Sequence, residues 1–304
     1  MEQSDEVQND PYEDFFHNPG KEVFASLFSA EAYFMVPQTY FKDEFMIASR
    51  KTAVQIIEKN YPPRSGYFDP LIAYMALTYF DRFYSRYHGY PRVMRETARS
   101  SRNATLFAIC CLTIAWKLRE KSFRLTSFLR EKDISYGTEA VLQMELQICR
   151  GLKWRMRTVT PFLFVGFFIP YLEMPSARSI VHNLIYRAQR EIAFTEYRPS
   201  VIAMSAMLAI SSGMVSAEHV NDLIRKFTDE FELLKPLQGM IEESMNRLRP
   251  LYWSPPAEQD DQTQNQNEQL EEEEDPNENH LACCTCNTAI SAICVNIKDA
   301  CNIL

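Results

Sequence analysis

Two stretches of this chain are apolar almost all the way round a helical wheel. They are "LFAICCLTIAW", residues 106–116, and "PSVIAMSAMLAIS", residues 199–211. A helix without a polar face has no side to turn to water, so other helices must enclose each of these. That requirement predicts two bundles, each built around a central helix. Neighbouring segments supply the wrapping. "DEFMIASRKTAVQIIEK", 43–59, places apolar residues at 46, 47, 53, 54, 56 and 57, a stripe of helical period. After the breaker "NYPPRSGYFDP" comes "PLIAYMALTYFDRFYS", with Asp69 placed to cap it and Pro70 at its first position. "SFRLTSFLREKDISY" reads as irregular or short-helical. "TEAVLQMELQICRGL" predicts a helix over about 138–150, closed by Gly151. Beyond Pro161 follow "PFLFVGFFIPYL", "SARSIVHNLIYRAQREIAFTE", the second apolar segment, "SAEHVNDLIRKFTDEFELL" and "PLQGMIEESMNRLRPLYW". Glycine, which hairpin turns need, occurs only 8 times in 304 residues, and strand-type alternation is nowhere sustained. The fold class is therefore predicted as all-α, with about five helices on each side of Pro161.

The net charge of −8 is unevenly spread. Residues 254–280 carry ten acids and no Lys or Arg, and residues 1–22 carry seven acids and one lysine. The intervening part is positive. Such a middle either attracts an anionic partner or screens itself, and self-screening is favoured because no dense Lys/Arg run stands out. "RGLKWRMR", 150–157, is the densest, and it reads as a connector in which Trp154 and Met156 pack. The acidic, amide-rich 254–280 stretch cannot bury enough apolar surface to offset ordering and is expected to be disordered. Cys110, Cys111 and Cys149 fall in apolar helical patterns and are expected to be buried thiols.

Phosphate-loop, HExxH and GxSxG patterns are missing, and the five histidines lack metal-ligand spacing. His182 reads as a surface or packing histidine. Asp81 and Arg82 of "FDRF" read as an internal structural pair. These features point to a non-enzymatic interaction module without cofactor or metal.

Several motifs resemble one family. "PLIAYMALTYFDRFYS" is similar to the cyclin-box helix that usually reads PLTAxLAVNYLDRFLS, and "CLTIAWKLRE" to CLSLAAKMEE. "MELQICRGLKWRMRTVTPFLFVGFF" resembles MELxxLxxLKWRMxxVTPFSFIDYF, and "EYRPSVIAMSAML" resembles FRPSVIAAAAML. Their order and spacing from about 45 to 250 resemble the D-type cyclins of plants. The resemblance implies two tandem five-helix cyclin folds. It also implies a function as activating regulatory subunit of a cyclin-dependent kinase, in cell-cycle entry or division control. The expected organisation is an acidic segment with a short helix (1–35, the helix at about 21–34), an N-terminal cyclin box (36–157) and a C-terminal cyclin fold (158–253). A disordered acidic linker (254–280) and a Cys-rich segment (281–304) follow.

Residue by residue, the family's kinase-gripping lysine falls on Lys117, its glutamate on Glu145, and the arginine ahead of the first box helix on Arg50. In the family, the lysine and glutamate reach the kinase's mobile helix and favour its active arrangement. The implied partners are a kinase catalytic subunit and, further, kinase inhibitor proteins. Direct nucleic-acid binding is not expected. The chain departs from the family pattern in three places. Ile56 stands where a tryptophan is usual in a substrate-docking groove. Arg119 replaces a glutamate. An N-terminal LxCxE motif is missing, and "LACCT" at 281–285 carries Thr285 in the place of its glutamate. The alternative is a cyclin-fold scaffold or transcription-factor-like protein without kinase activation.

The chain ends "CNIL", which reads as a prenylation box on Cys301, with Cys283, Cys284 and Cys286 as upstream thiols for acylation. A chance terminus and a metal or redox cluster are the competing readings. Nuclear or cytoplasmic location is expected, with a membrane-tethered fraction only if Cys301 is prenylated.

Overall fold

A computed structural model describes residues 20–63, 68–86, 101–171, 177–212 and 216–253. The lipidation thiols, the acidic 254–280 stretch and the LxCxE-like segment lie outside the described residues. Among those described, there are eleven α-helices, four short 3-10 segments and no strand. The α-helices are α1 (Lys21–Phe34), α2 (Glu44–Asn60), α3 (Pro70–Ser85), α4 (Ser101–Arg119), α5 (Leu125–Glu131) and α6 (Thr138–Gly151). A second run comprises α7 (Pro161–Phe168), α8 (Ala177–Gln189), α9 (Pro199–Ser211), α10 (Ala217–Glu230) and α11 (Gln238–Trp253). Among the described residues, no helix is long and apolar enough to cross a membrane.

Local chemistry sets the helix starts. Asp43 accepts from the N–H groups of Phe45 (2.9 Å) and Met46 (3.2 Å) and so caps α2. Asp69 accepts from Leu71 N–H at 2.8 Å, and Pro70 occupies the first turn of α3. The end of α6 differs from expectation. Gly151 is its last helical residue rather than its terminator. The left-handed turn falls two residues later, on Lys153 (φ 55°) and Trp154 (φ 61°). Trp154 N–H donates to the Cys149 carbonyl at 2.8 Å, closing the helix with non-glycine residues.

The two apolar helices lie where their composition requires. Residues 107–115 of α4 are all buried, enclosed by α2, α3 and α6. Every residue of α9 is buried, enclosed by α7, α8, α10 and α11. The buried serines within α9 are satisfied: Ser205 donates to the Ile241 carbonyl at 3.0 Å and Ser211 to the Met207 carbonyl at 3.0 Å. Cys110, Cys111 and Cys149 are buried free thiols.

Helix α1 precedes the first set in sequence but packs on the second. Phe24 makes edge-on contacts with Phe164 (5.5 Å) and Phe167 (5.3 Å) and a tilted one with Phe231 (4.5 Å). The fully buried Glu31 accepts from Ser200 N–H and Ser200 Oγ, both at 2.9 Å, at the start of α9. A carboxylate there meets the positive end of the helix dipole and a ring of donors.

Candidate partner-binding site

Lys117 lies in the last turn of α4 and Glu145 in the middle of α6. The packing of these helices brings the two together. Lys117 Nζ donates to Glu145 Oε1 at 2.7 Å and to Oε2 at 2.6 Å. Thr113, one turn earlier on α4, donates to Glu145 Oε1 at 2.6 Å. The Lys117 side chain retains 20% of its exposure and that of Glu145 8%. The pair thus sits at an edge, fixed from below by Thr113 and open above. Its floor is apolar. Burial pushes the Cys149 thiol up to about 12, with the Glu145 charge adding to the effect. Neighbouring Cys110 is raised for the same reasons in the same order. These thiols are packing groups rather than nucleophiles.

What such an edge offers is directional. An ammonium carries three donors that suit the free carbonyls of a helix end, and a carboxylate accepts N–H groups. In the isolated chain the two neutralise each other, which holds both side chains in place.

The neighbouring departure, Arg119, is engaged inside the molecule. Its Nε donates to Asp69 Oδ2 at 2.7 Å, while Asp69 Oδ1 caps α3. One aspartate therefore fastens the end of α4 to the start of α3. Ile56 is half-buried on α2, packed against the core.

Arg50 is placed apart from the Lys117–Glu145 pair and is 1% exposed. Its Nε donates to Asp81 Oδ1 (3.0 Å) and Oδ2 (3.2 Å), and its Nη1 to the Arg190 carbonyl at 3.0 Å. Its Nη2 donates to the Gln189 carbonyl. Tyr40 donates its hydroxyl to Asp81 Oδ1 at 2.7 Å. Arg50 thus joins α2 and α3 to the end of α8, linking the two helix sets. The expected Asp81–Arg82 pair is corrected by this arrangement. Both residues are buried, but adjacent positions on a helix point about 100° apart. Asp81 turns to Arg50, whereas Arg82 donates Nη1 to the Arg155 carbonyl at 3.0 Å and lies over the Phe34 ring, 4.9 Å away. Desolvation lowers Arg82 to about 10.

His182 is a half-buried packing residue, its ring 4.9 Å from that of Phe162 and its pKa pushed down to about 4 by desolvation. Among the described residues, no group of His, Cys, Asp or Glu assembles as a metal site.

Comparison with known proteins follows the same lines. Residues 22–157 match the family model "Cyclin, N-terminal domain". Cyclin-D6-1 of Oryza sativa subsp. japonica is 30% identical over 218 residues, covering 67% of this chain and 63% of that protein. Cyclin-D1-1 of Arabidopsis thaliana is 34% identical over 161 residues, covering 50% of this chain and 45% of that protein. The chain therefore spans less than two thirds of these relatives' length. Among solved structures, a viral cyclin from herpesvirus saimiri superposes with a TM-score of 0.56 at 14% identity, covering 76% of this chain and 96% of that one. At that identity the likeness concerns the fold.

Proposed function

We propose that this chain, which belongs to the cyclin family as a plant D-type member, is the activating regulatory subunit of a cyclin-dependent kinase in cell-cycle control. It acts by binding rather than by catalysis. The observation that carries this reading is the Lys117–Glu145 pair. The two residues to which the family resemblance assigns the kinase grip, 28 positions apart, meet at 2.6 Å on one edge. In the complex, Lys117 turns its donors to carbonyls of the kinase's mobile helix, and Glu145 accepts from its N–H groups or a cation. A subunit that binds the active arrangement better than the inactive one shifts the kinase population toward activity by that difference in affinity.

Arg50 has a different part in this reading. Its donors are spent on Asp81 and on the carbonyls at the end of α8. It therefore supports the binding edge by holding the helix sets together rather than by touching the kinase. The two tandem cyclin folds implied by the resemblance are supported by the repeated plan of one enclosed helix per set.

The test is capture of candidate plant cyclin-dependent kinases by the full chain, followed by a kinase assay. Lys117→Ala combined with Glu145→Ala is expected to abolish capture and activation while the helical spectrum is kept. Full capture and activation by the double variant would reject the assignment. Capture without activation, by the unaltered chain with every candidate, would favour a cyclin-fold scaffold.

A further inference from the structure

The densest basic run in the sequence, 150–157, gains a meaning from what the fold brings beside it. Tyr33, near the end of α1, is 40% exposed. The Arg155 guanidinium lies over its ring at 4.3 Å, and that of Arg86, just past α3, approaches at 5.8 Å. Lys153 is close enough to act on the phenol by charge. Burial opposes ionisation of Tyr33, but interaction with Arg86, Arg155 and Lys153 outweighs it and lowers its pKa. Three segments far apart in sequence thus converge on one exposed phenol.

The charge here is unbalanced. Among the described residues, Arg86, Lys153 and Arg155 form no ion pair with a carboxylate. Below them, buried Arg82 holds the Arg155 carbonyl and has two N–H groups, Nε and Nη2, without a partner among the described residues. Some arginines elsewhere are paired, Arg50 with Asp81, Arg119 with Asp69 and Arg190 with Glu58, but none of those pairs gathers three cations around one phenol. The connector carrying Lys153 and Arg155 is also fixed, because its left-handed turn is hydrogen-bonded to the end of α6 and Met156 is buried. Two cations on a rigid turn, a third from α3 and a phenol form a pre-organised donor set facing solvent.

We propose that Tyr33, Arg86, Lys153 and Arg155 form a binding site for a phosphorylated segment of a protein partner. A phosphate monoester carries nearly two charges and three acceptor oxygens. The guanidinium forks of Arg86 and Arg155 match those oxygens, Lys153 adds a point charge, and the Tyr33 hydroxyl supplies a further donor. A carboxylate would leave most of this charge uncompensated. A nucleic acid presents repeated phosphates and calls for a longer basic track than this compact cluster. The inference is independent of the kinase reading, since the site shares no residue with Lys117 and Glu145.

The experiment uses the full chain and a fluorescein-labelled pool of short peptides, degenerate around a fixed phosphoserine, read by anisotropy. The phosphorylated pool is expected to bind at least about tenfold more tightly than its unphosphorylated twin. The double variant Arg86→Gln with Arg155→Gln removes that preference, and Tyr33→Phe, which keeps the packed ring, weakens it several-fold. Equal binding of the two pools would overturn the proposal, as would an unchanged preference in the folded double variant. Displacement of the phosphopeptide by inorganic phosphate at equal concentration would reduce the site to free phosphate and overturn the peptide assignment. Tighter binding of a single-stranded DNA oligonucleotide than of the phosphopeptide would assign the cluster to nucleic acid instead.

Discussion

Asp81 and Glu145 each lie within a helix, and each holds a cation from another helix, yet the two pairs differ in what surrounds them. Asp81 and Arg50 keep 4% and 2% of their side-chain exposure. Arg50 is shared between Asp81 and two backbone carbonyls, and Asp81 also accepts from Tyr40. Glu145 is nearly as buried, but Lys117 reaches water, and among the described residues Thr113 alone accompanies the pair. The first arrangement is closed to other molecules by burial. The second leaves an ammonium and a carboxylate that can exchange each other for a partner. Resemblance alone nominates Arg50, Lys117 and Glu145 together, and the number of internal partners separates them.

The largest expected effect is at the sealed pair. Asp81→Ala strands a buried guanidinium and is expected to cost about 3–5 kcal/mol, measured by urea denaturation. A loss under about 1 kcal/mol would break the comparison, because the pair would then behave like a surface one. At the open pair the order reverses. Lys117→Ala is expected to cost only about 1 kcal/mol of stability, its charge being partly solvated. The same change should weaken kinase capture at least about tenfold, as loss of a central interface contact does. Arg119→Glu sharpens the picture between these extremes. It restores the acid usual in the family but sets it against Asp69, so it should destabilise by about 1 kcal/mol without restoring any binding. Thermal melting of Arg119→Glu beside Arg119→Ala isolates the repulsion.

The smallest effect concerns a third buried carboxylate. Burial raises the Glu31 pKa, opposed by the Ser200 N–H, the Ser200 hydroxyl and Arg198. A carboxyl whose folded value lies above its unfolded one binds more protons when folded. Its stabilising contribution is complete below the unfolded value of 4.5 and is lost as pH rises through the folded value. Wild type should therefore lose stability relative to Glu31→Gln as pH rises above 4.5. A constant difference between the two curves would show that Glu31 folds ionised.

Much of this was legible in one dimension, where the cause is local. Asp69 and Pro70 announce the start of α3, and the uniform apolarity of 106–116 and 199–211 announces two enclosed helices. The site residues Lys117 and Glu145 were nominated by resemblance, but their mutual contact is a matter of how α4 crosses α6. The Arg50–Asp81 link was missed because its partners stand 31 positions apart, while the adjacent Arg82 offers a tempting charge that helical geometry turns away. The left-handed turn at Lys153 and Trp154 escaped notice because Gly151 is the residue type that normally takes that conformation. The Tyr33 cluster has no linear signature at all, since its members come from three separate segments.

The attachment of α1 to the second helix set has a consequence for how the chain is made. Phe24 and Glu31 leave the ribosome well before their partners, Phe164, Phe167, Ser200 and Phe231. Helix α1 therefore waits for the second helix set before it finds its place. Until then its aromatic face stays uncovered, and the nascent chain depends on whatever shields such a surface during translation.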